Sequence, residues 1–314
     1  MRGIACLMAT LLALALPGQA IAQRQIALSF DDVPRDSGAF LSVDERTERL
    51  ITALDEAGVS QAAFFVNPGS LARPAGAGGE ARIDAYVAAG HVIANHSYSH
   101  PALTDLTAAA YLAEIDRAEA WLKPRAGYRP WFRFPFLNEG RDDKAKRDAV
   151  RAGLAARGLR NGYVTADSSD WHIEALTIAA KAAGKSIDMD ALRDLYVESH
   201  VEAAEFNEAL AIKATGHPIA HVMLLHETDI AALFVDDLVA ALKAKGWTIV
   251  TVDAAYADPI AARAATVDVP SAQGTLTEAL AWEKGLPKPR WSERNDTSIL
   301  DRLFAERVLK EKTP

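Results

Sequence analysis

Between residues 26 and 252, short apolar runs with the period of strands alternate with longer amphipathic runs with the period of helices. Strands are predicted over 26–30, 62–66, 91–94, 131–134, 162–165, 222–225 and 248–252. Helices are predicted over 43–57, before Gly90, over 104–123, 144–157 and 230–245, with a long helical region over 173–214. Such alternation predicts an α/β fold with a parallel sheet, because each helical crossover returns the chain to the same end of the sheet. The stretches Ser29-Phe30-Asp31-Asp32, His96-Ser97-Tyr98-Ser99-His100, Arg133-Phe134-Pro135-Phe136, Asp167-Ser168-Ser169-Asp170-Trp171 and Leu224-Leu225-His226 all fall at the carboxyl ends of predicted strands. That is where α/β barrels assemble a pocket from many loops.

The 314 residues, 50% hydrophobic and 24% charged, suffice for one large domain. Residues 1–22 read as a secretory signal: Arg2 precedes an apolar run over 7–16, and Ala20-Ile21-Ala22 is a small-x-small cleavage pattern. The apolar run is too short to span a bilayer, so no membrane anchor is expected after cleavage, and the expected location is periplasmic or secreted. Cys6 is the only cysteine and lies in that leader, which leaves the mature chain without disulfide, thiol nucleophile or thiolate metal site. Acidic residues outnumber basic ones, 42 to 34, and no basic run stands out, so neither nucleic acid nor an anionic membrane surface is an expected partner.

The first two stretches read as a metal site with its own base. His96 and His100 are four apart, so a helical turn would place both imidazoles on one side. With Asp32 as third ligand they give a His₂-carboxylate set that leaves positions open for water and substrate. Asp31, adjacent to Asp32, is the candidate general base, one carboxylate binding the ion and the other taking a proton. Either motif alone is commonly structural, and their force lies in the company of the other three stretches.

Taken in order, the five stretches resemble the motifs of polysaccharide deacetylases of the NodB-homology type, carbohydrate esterase family 4, over about residues 24–255. The resemblance implies an α/β fold, a distorted (β/α) barrel with fewer than the usual eight strands, in one domain. The expected organisation is a signal over 1–22, a catalytic domain over 23–257 and an extension over 258–314. The 173–214 region reads as a lid or as a helical hairpin packed on the barrel. The tail, with Trp282, Trp291 and Phe304, reads as wrapping the barrel or shaping a groove.

Roles follow from chemistry together with this resemblance. Arg133 is expected to pair with Asp31 and hold it ionised. Phe136 stands where the family has Tyr; its backbone N–H survives as an oxyanion donor while a side-chain hydroxyl is lost. His226 is the candidate general acid, and Asp170, with Asp167 as the alternative, its orienting carboxylate. Trp171 and Leu224 are expected to wall the acyl methyl group. Val33-Pro34 replaces a frequent Gly after the paired aspartates, which reshapes the loop above the metal. His91, His172, His200, His217 and His221 match no motif.

The function so implied is metal-dependent removal of N-acetyl groups from a carbohydrate such as a chitooligosaccharide or peptidoglycan, with zinc the expected ion. Alternatives on the same fold are an O-acetyl esterase, a hydrolase of a non-sugar amide or formyl group, and a non-catalytic sugar-binding barrel.

Overall fold

The computed structural model describes residues 23–311. The predicted signal over 1–22 lies outside the described residues. The strands are β1 (Arg24–Val33), β2 (Ala63–Val66), β3 (Val92–Asn95), β4 (Tyr128–Phe132), β5 (Arg160–Asn161), β6 (Ala220–His226) and β7 (Trp247–Ile249). The helices between them are α1 (Val43–Glu56), α2 (Gly79–Ala88), α3 (Ala108–Leu122), α4 (Lys144–Ala156), α5 (Asp170–Ala182), α6 (Met189–Thr215) and α7 (Asp229–Ala244). Beyond β7 come α8 (Val252–Ala255), α9 (Ala261–Ala264), α10 (Leu276–Glu283) and α11 (Thr297–Leu303).

All pairings within the sheet are parallel, in the order β5-β4-β3-β2-β1-β6, with β7 joined to the start of β1. The segment after β5 reaches across to β6, where the Thr165 N–H donates to Val222 O and the Leu224 N–H to Ala166 O. The sheet therefore curls into a distorted barrel, as expected. Strand alternation sorts its two faces. Leu28, Phe30, Phe64, Val66, Ile93, Met223 and Leu225 join the outer core, where Tyr86 of α2 stacks on Phe64 at 3.9 Å. Ala27, Ala63, Phe65, Ala94 and Val222 face the interior, with Trp131, Tyr163 and residues of the tail. Ser29, Asp31 and His226 follow the inward register of Ala27 and Val222.

The predicted strand at 162–165 is a two-residue ladder at Arg160–Asn161 followed by an isolated bridge at Ala166, because the chain must leave β4 to reach β6. Gly162 sits at that crossing, where a Cβ would lie 2.7 Å from the Phe65 ring. The long helical region divides at Gly184 into α5 and α6. α6 buries Leu192, Leu195, Tyr196 and Leu210 and packs between α7 and α10, so it is packed on the barrel and not a lid, but it does not pair with α5 as a hairpin. The tail wraps the barrel, Val269, Ala272, Leu276 and Leu280 entering the inner core. No helix among the described residues is long and apolar enough to cross a membrane.

Candidate metal centre and active site

Successive strand residues point to opposite faces, so Asp31 and Asp32 could not both face one cleft from a regular strand. The β1–β2 register shifts between Phe30 and Val33, and Asp32 adopts φ 67°. This bulge, in a left-handed conformation that Asp tolerates, re-aims Asp32 toward the same cleft as Asp31.

His96 and His100 converge without the helical turn the spacing suggested. They lie in a loop after β3 in which Ser97 (φ 67°) and His100 (φ 61°) reverse the chain. The Ser97 N–H donates to Asn95 Oδ1 at 2.7 Å and the His100 N–H to Ser97 Oγ at 3.0 Å, closing the turn on the strand end. Asn67 clamps it from β2, its side-chain amide donating to the carbonyls of His96 and Ser97. His100 Nε2 lies 3.0 Å and His96 Nε2 3.4 Å from Asp32 Oδ1. One ligand atom from each of the three residues lies within 4.8 Å of the others.

The donor set fits a divalent cation. His96 Nδ1 is 2.9 Å from Arg133 O, and since a carbonyl only accepts, that nitrogen carries the proton and Nε2 presents a lone pair. This lone pair faces Asp32 Oδ1, which is buried and has no aligned hydrogen-bond donor. Burial opposes ionisation of Asp32, yet His100 and His96 outweigh it and hold the carboxyl well below the usual range. An ionised carboxylate and an imidazole lone pair turned on one another leave a place for positive charge.

Arg133, 1% exposed, donates from Nη1 to Asp31 Oδ1 at 2.8 Å. Its other donors go to Ser29 Oγ, Tyr256 Oη and Gly162 O, and its guanidinium lies 4.0 Å over the Phe65 ring. Burial works against its charge, but Asp31 and Tyr256 more than compensate. The second oxygen of Asp31 is 3.6 Å from His96 Nε2, at the rim of the ligand set.

On β6, the strand next to β1, His226 is held at two points by Asp170, at the start of α5. The carboxylate accepts from the His226 N–H at 2.8 Å and from Nδ1 at 2.6 Å, leaving Nε2 for the cleft. Burial disfavours the imidazolium, but the charge and hydrogen bond of Asp170, with Asp32 adding, raise the His226 pKa. Asp167 instead accepts from the Ser169 N–H, and burial pushes its carboxyl up to about 6. Asp170 is therefore the aspartate in contact with His226.

Asp31, Asp32, His96, His100 and His226 line one cavity of about 1060 Å³, together with Phe136, Trp171 and Leu224, while Arg133 and Asp170 stand buried behind them. Phe136 is at φ 58° and its ring packs 4.5 Å from that of His100. Trp171 is 43% exposed and Leu224 only 5%. The unassigned histidines sit elsewhere: His91 is buried with its pKa pushed down to about 4, His221 bridges Thr165 and Glu208, and His200 donates to Tyr196 O.

Arg35 was not anticipated. Its guanidinium donates to Asp32 Oδ2 at 2.5 Å, and its only sequence signal is a position three after that aspartate. Trp291 belongs to the tail aromatics read as wrapping the barrel or shaping a groove, whereas Asn67 and the tail residues Gln273 and Asn295 carry no local signal at all.

Residues 19–156 match the family model described as polysaccharide deacetylase. Chitin deacetylase 1 of Cryptococcus neoformans var. grubii is 29% identical over 167 residues, 51% of this chain and 32% of that protein. The chain thus spans about a third of that relative's length. Among solved structures, the chitin deacetylase of Colletotrichum lindemuthianum superposes with TM-score 0.51 at 21% identity, covering 75% of this chain and 88% of its own. A carbohydrate esterase family 4 pseudoenzyme of Bacillus anthracis superposes with TM-score 0.50 at 16% identity, covering 75% and 66%. Both likenesses show the fold, and the pseudoenzyme shows that this fold alone does not decide activity.

Proposed function

We propose that this chain, whose residues 19–156 match the polysaccharide deacetylase family model, is a metal-dependent hydrolase that removes N-acetyl groups from a glycan. The supporting observation is the meeting, in one cleft, of the Asp32–His96–His100 donor set, the Asp31–Arg133 pair and the His226–Asp170 pair. A family member stripped of activity would have no reason to keep all three.

Asp32, His96 and His100 would hold the ion, zinc in our reading. When bound it would polarise the acyl carbonyl and make water a better nucleophile. Asp31, fixed by Arg133, takes the proton as the water oxygen bonds to the carbonyl carbon. The Phe136 N–H donates to the oxygen that becomes negative. As the C–N bond breaks, His226 gives its Nε2 proton to the departing nitrogen, leaving acetate and a free amine. Asp170 positions the ring and favours its protonated form. Trp171 and Leu224 close an apolar wall around the methyl group. The signal-like composition read over residues 1–22 would direct export to the periplasm or medium, where acetylated glycans are met.

The test is release of acetate, with formate monitored in parallel, from chitooligosaccharides, peptidoglycan and acetylxylan by zinc-loaded protein. Acetate from an N-acetylated glycan is expected. Release from acetylxylan alone would replace the amidase reading with an esterase, and no release from any substrate would overturn it.

A further inference from the structure

The reacting centre accounts for only one side of the cleft. The other is built by the tail, which lies beyond the residues that match the family, and it carries Trp291 and Asn295. We propose that these two residues form a subsite that stacks a sugar ring adjacent to the one being deacetylated; this rests on the glycan deacetylase reading above.

Trp291 is a large apolar side chain left 46% exposed on a wall shared with Asp31, His100 and His226. A single exposed indole on a convex surface would mean little. This one faces the cleft where the substrate must lie. The cavity, at about 1060 Å³, slightly exceeds the ~300–1,000 Å³ that small-ligand sites occupy, so it has room beyond one reacting sugar.

The segment carrying the indole is anchored, as a recognition element requires. Ser292 is 3% exposed and its hydroxyl accepts from the Arg294 N–H. Arg294 is itself buried and donates to Glu202 of α6 at 2.6 Å. One turn on from Trp291, Asn295 lines the same wall, and its Oδ1 is buried without a hydrogen-bond partner. An unpaired amide oxygen is costly unless a ligand or a shift of the side chain supplies the donor.

An aromatic face beside an amide matches the two-sided chemistry of a pyranose, whose ring C–H groups are apolar and whose rim carries hydroxyls.

The test uses calorimetric titration of zinc-loaded Asp31→Asn protein, which binds without turnover, with N-acetylchitotetraose and with N-acetylglucosamine. Trp291→Ala in that background is expected to weaken tetraose binding about tenfold, with partial recovery in Trp291→Phe. Asn295→Ala is expected to weaken it several-fold. Ile212→Ala, which removes a comparably exposed apolar side chain of α6 that does not line the cleft, should bind as the parent does. In the active enzyme, the Trp291→Ala defect on tetraose should fall on KM and not kcat. Unchanged tetraose affinity in a folded Trp291→Ala protein would remove the subsite and leave the deacetylase reading intact. Absence of both tetraose binding and acetate release in the parent proteins would instead overturn that reading, and the subsite with it.

Discussion

Asp31 and His226 are register partners on the parallel strands β1 and β6, so the two groups proposed to handle protons are set side by side by a single backbone ladder. Each is fixed from its far side, Asp31 by Arg133 at 2.8 Å and His226 by Asp170 at 2.6 Å. The strands set the separation, and the buried ion pairs set orientation and charge.

The alkaline limb of kcat/KM should follow loss of the His226 proton. The His226 pKa is raised because Asp170 outweighs the effect of burial, so the acid stays competent to higher pH than a free imidazole. Asp170→Asn removes that charge and should move the limb to lower pH, with metal content unchanged. Asp167→Asn should move it little. A limb unmoved in Asp170→Asn removes His226 from the acid role.

Replacing His96 or His100 by Ala should abolish zinc retention while the fold persists, since the inner and outer cores do not depend on an ion. Metal analysis after gel filtration, with circular dichroism as the folding control, reads this out. Full zinc occupancy in His100→Ala contradicts the ligand set.

Glu174 should make stability fall as pH rises. Burial and the charge of Asp229 push its carboxyl from 4.5 up to about 7, so the folded state binds this proton more tightly than the unfolded chain. Stability from this group is complete below the unfolded value and is lost as pH rises toward 7. In Glu174→Gln that loss disappears, so the Tm of the variant relative to wild type should climb between pH 4.5 and 7. Parallel Tm curves across this range would refute it.

Gly162→Ala places a methyl group against the Phe65 ring, the ring beneath the Arg133 guanidinium. A destabilisation of about 1–3 kcal/mol is expected from overpacking, read by calorimetric unfolding. An unchanged Tm would show that Phe65 can move freely.

Much of the barrel was legible because its strands are short apolar runs, and the inward placement of Asp31 and His226 follows from alternation along β1 and β6. The convergence of His96 and His100 was legible from spacing, but for the wrong local reason. Their loop depends on Asn67, Asn95 and Ser97, whose hydrogen bonds no periodicity reveals. The segment at 162–165 read as a strand because its residues are apolar; its pairing is decided by the gap between β4 and β6. Arg35, Trp291 and Asn295 reach the cleft through loop and tail paths that only the folded chain defines.

The most direct measurement is acetate release from N-acetylchitotetraose by zinc-loaded wild type and zinc-loaded Asp31→Asn, with bound zinc determined on the same samples. Turnover by the wild type, equal zinc in both, and a loss of about 10²–10⁴-fold in the variant are predicted, because the substitution removes a proton acceptor and not a ligand. Wild-type turnover retained by Asp31→Asn at equal zinc would contradict the account.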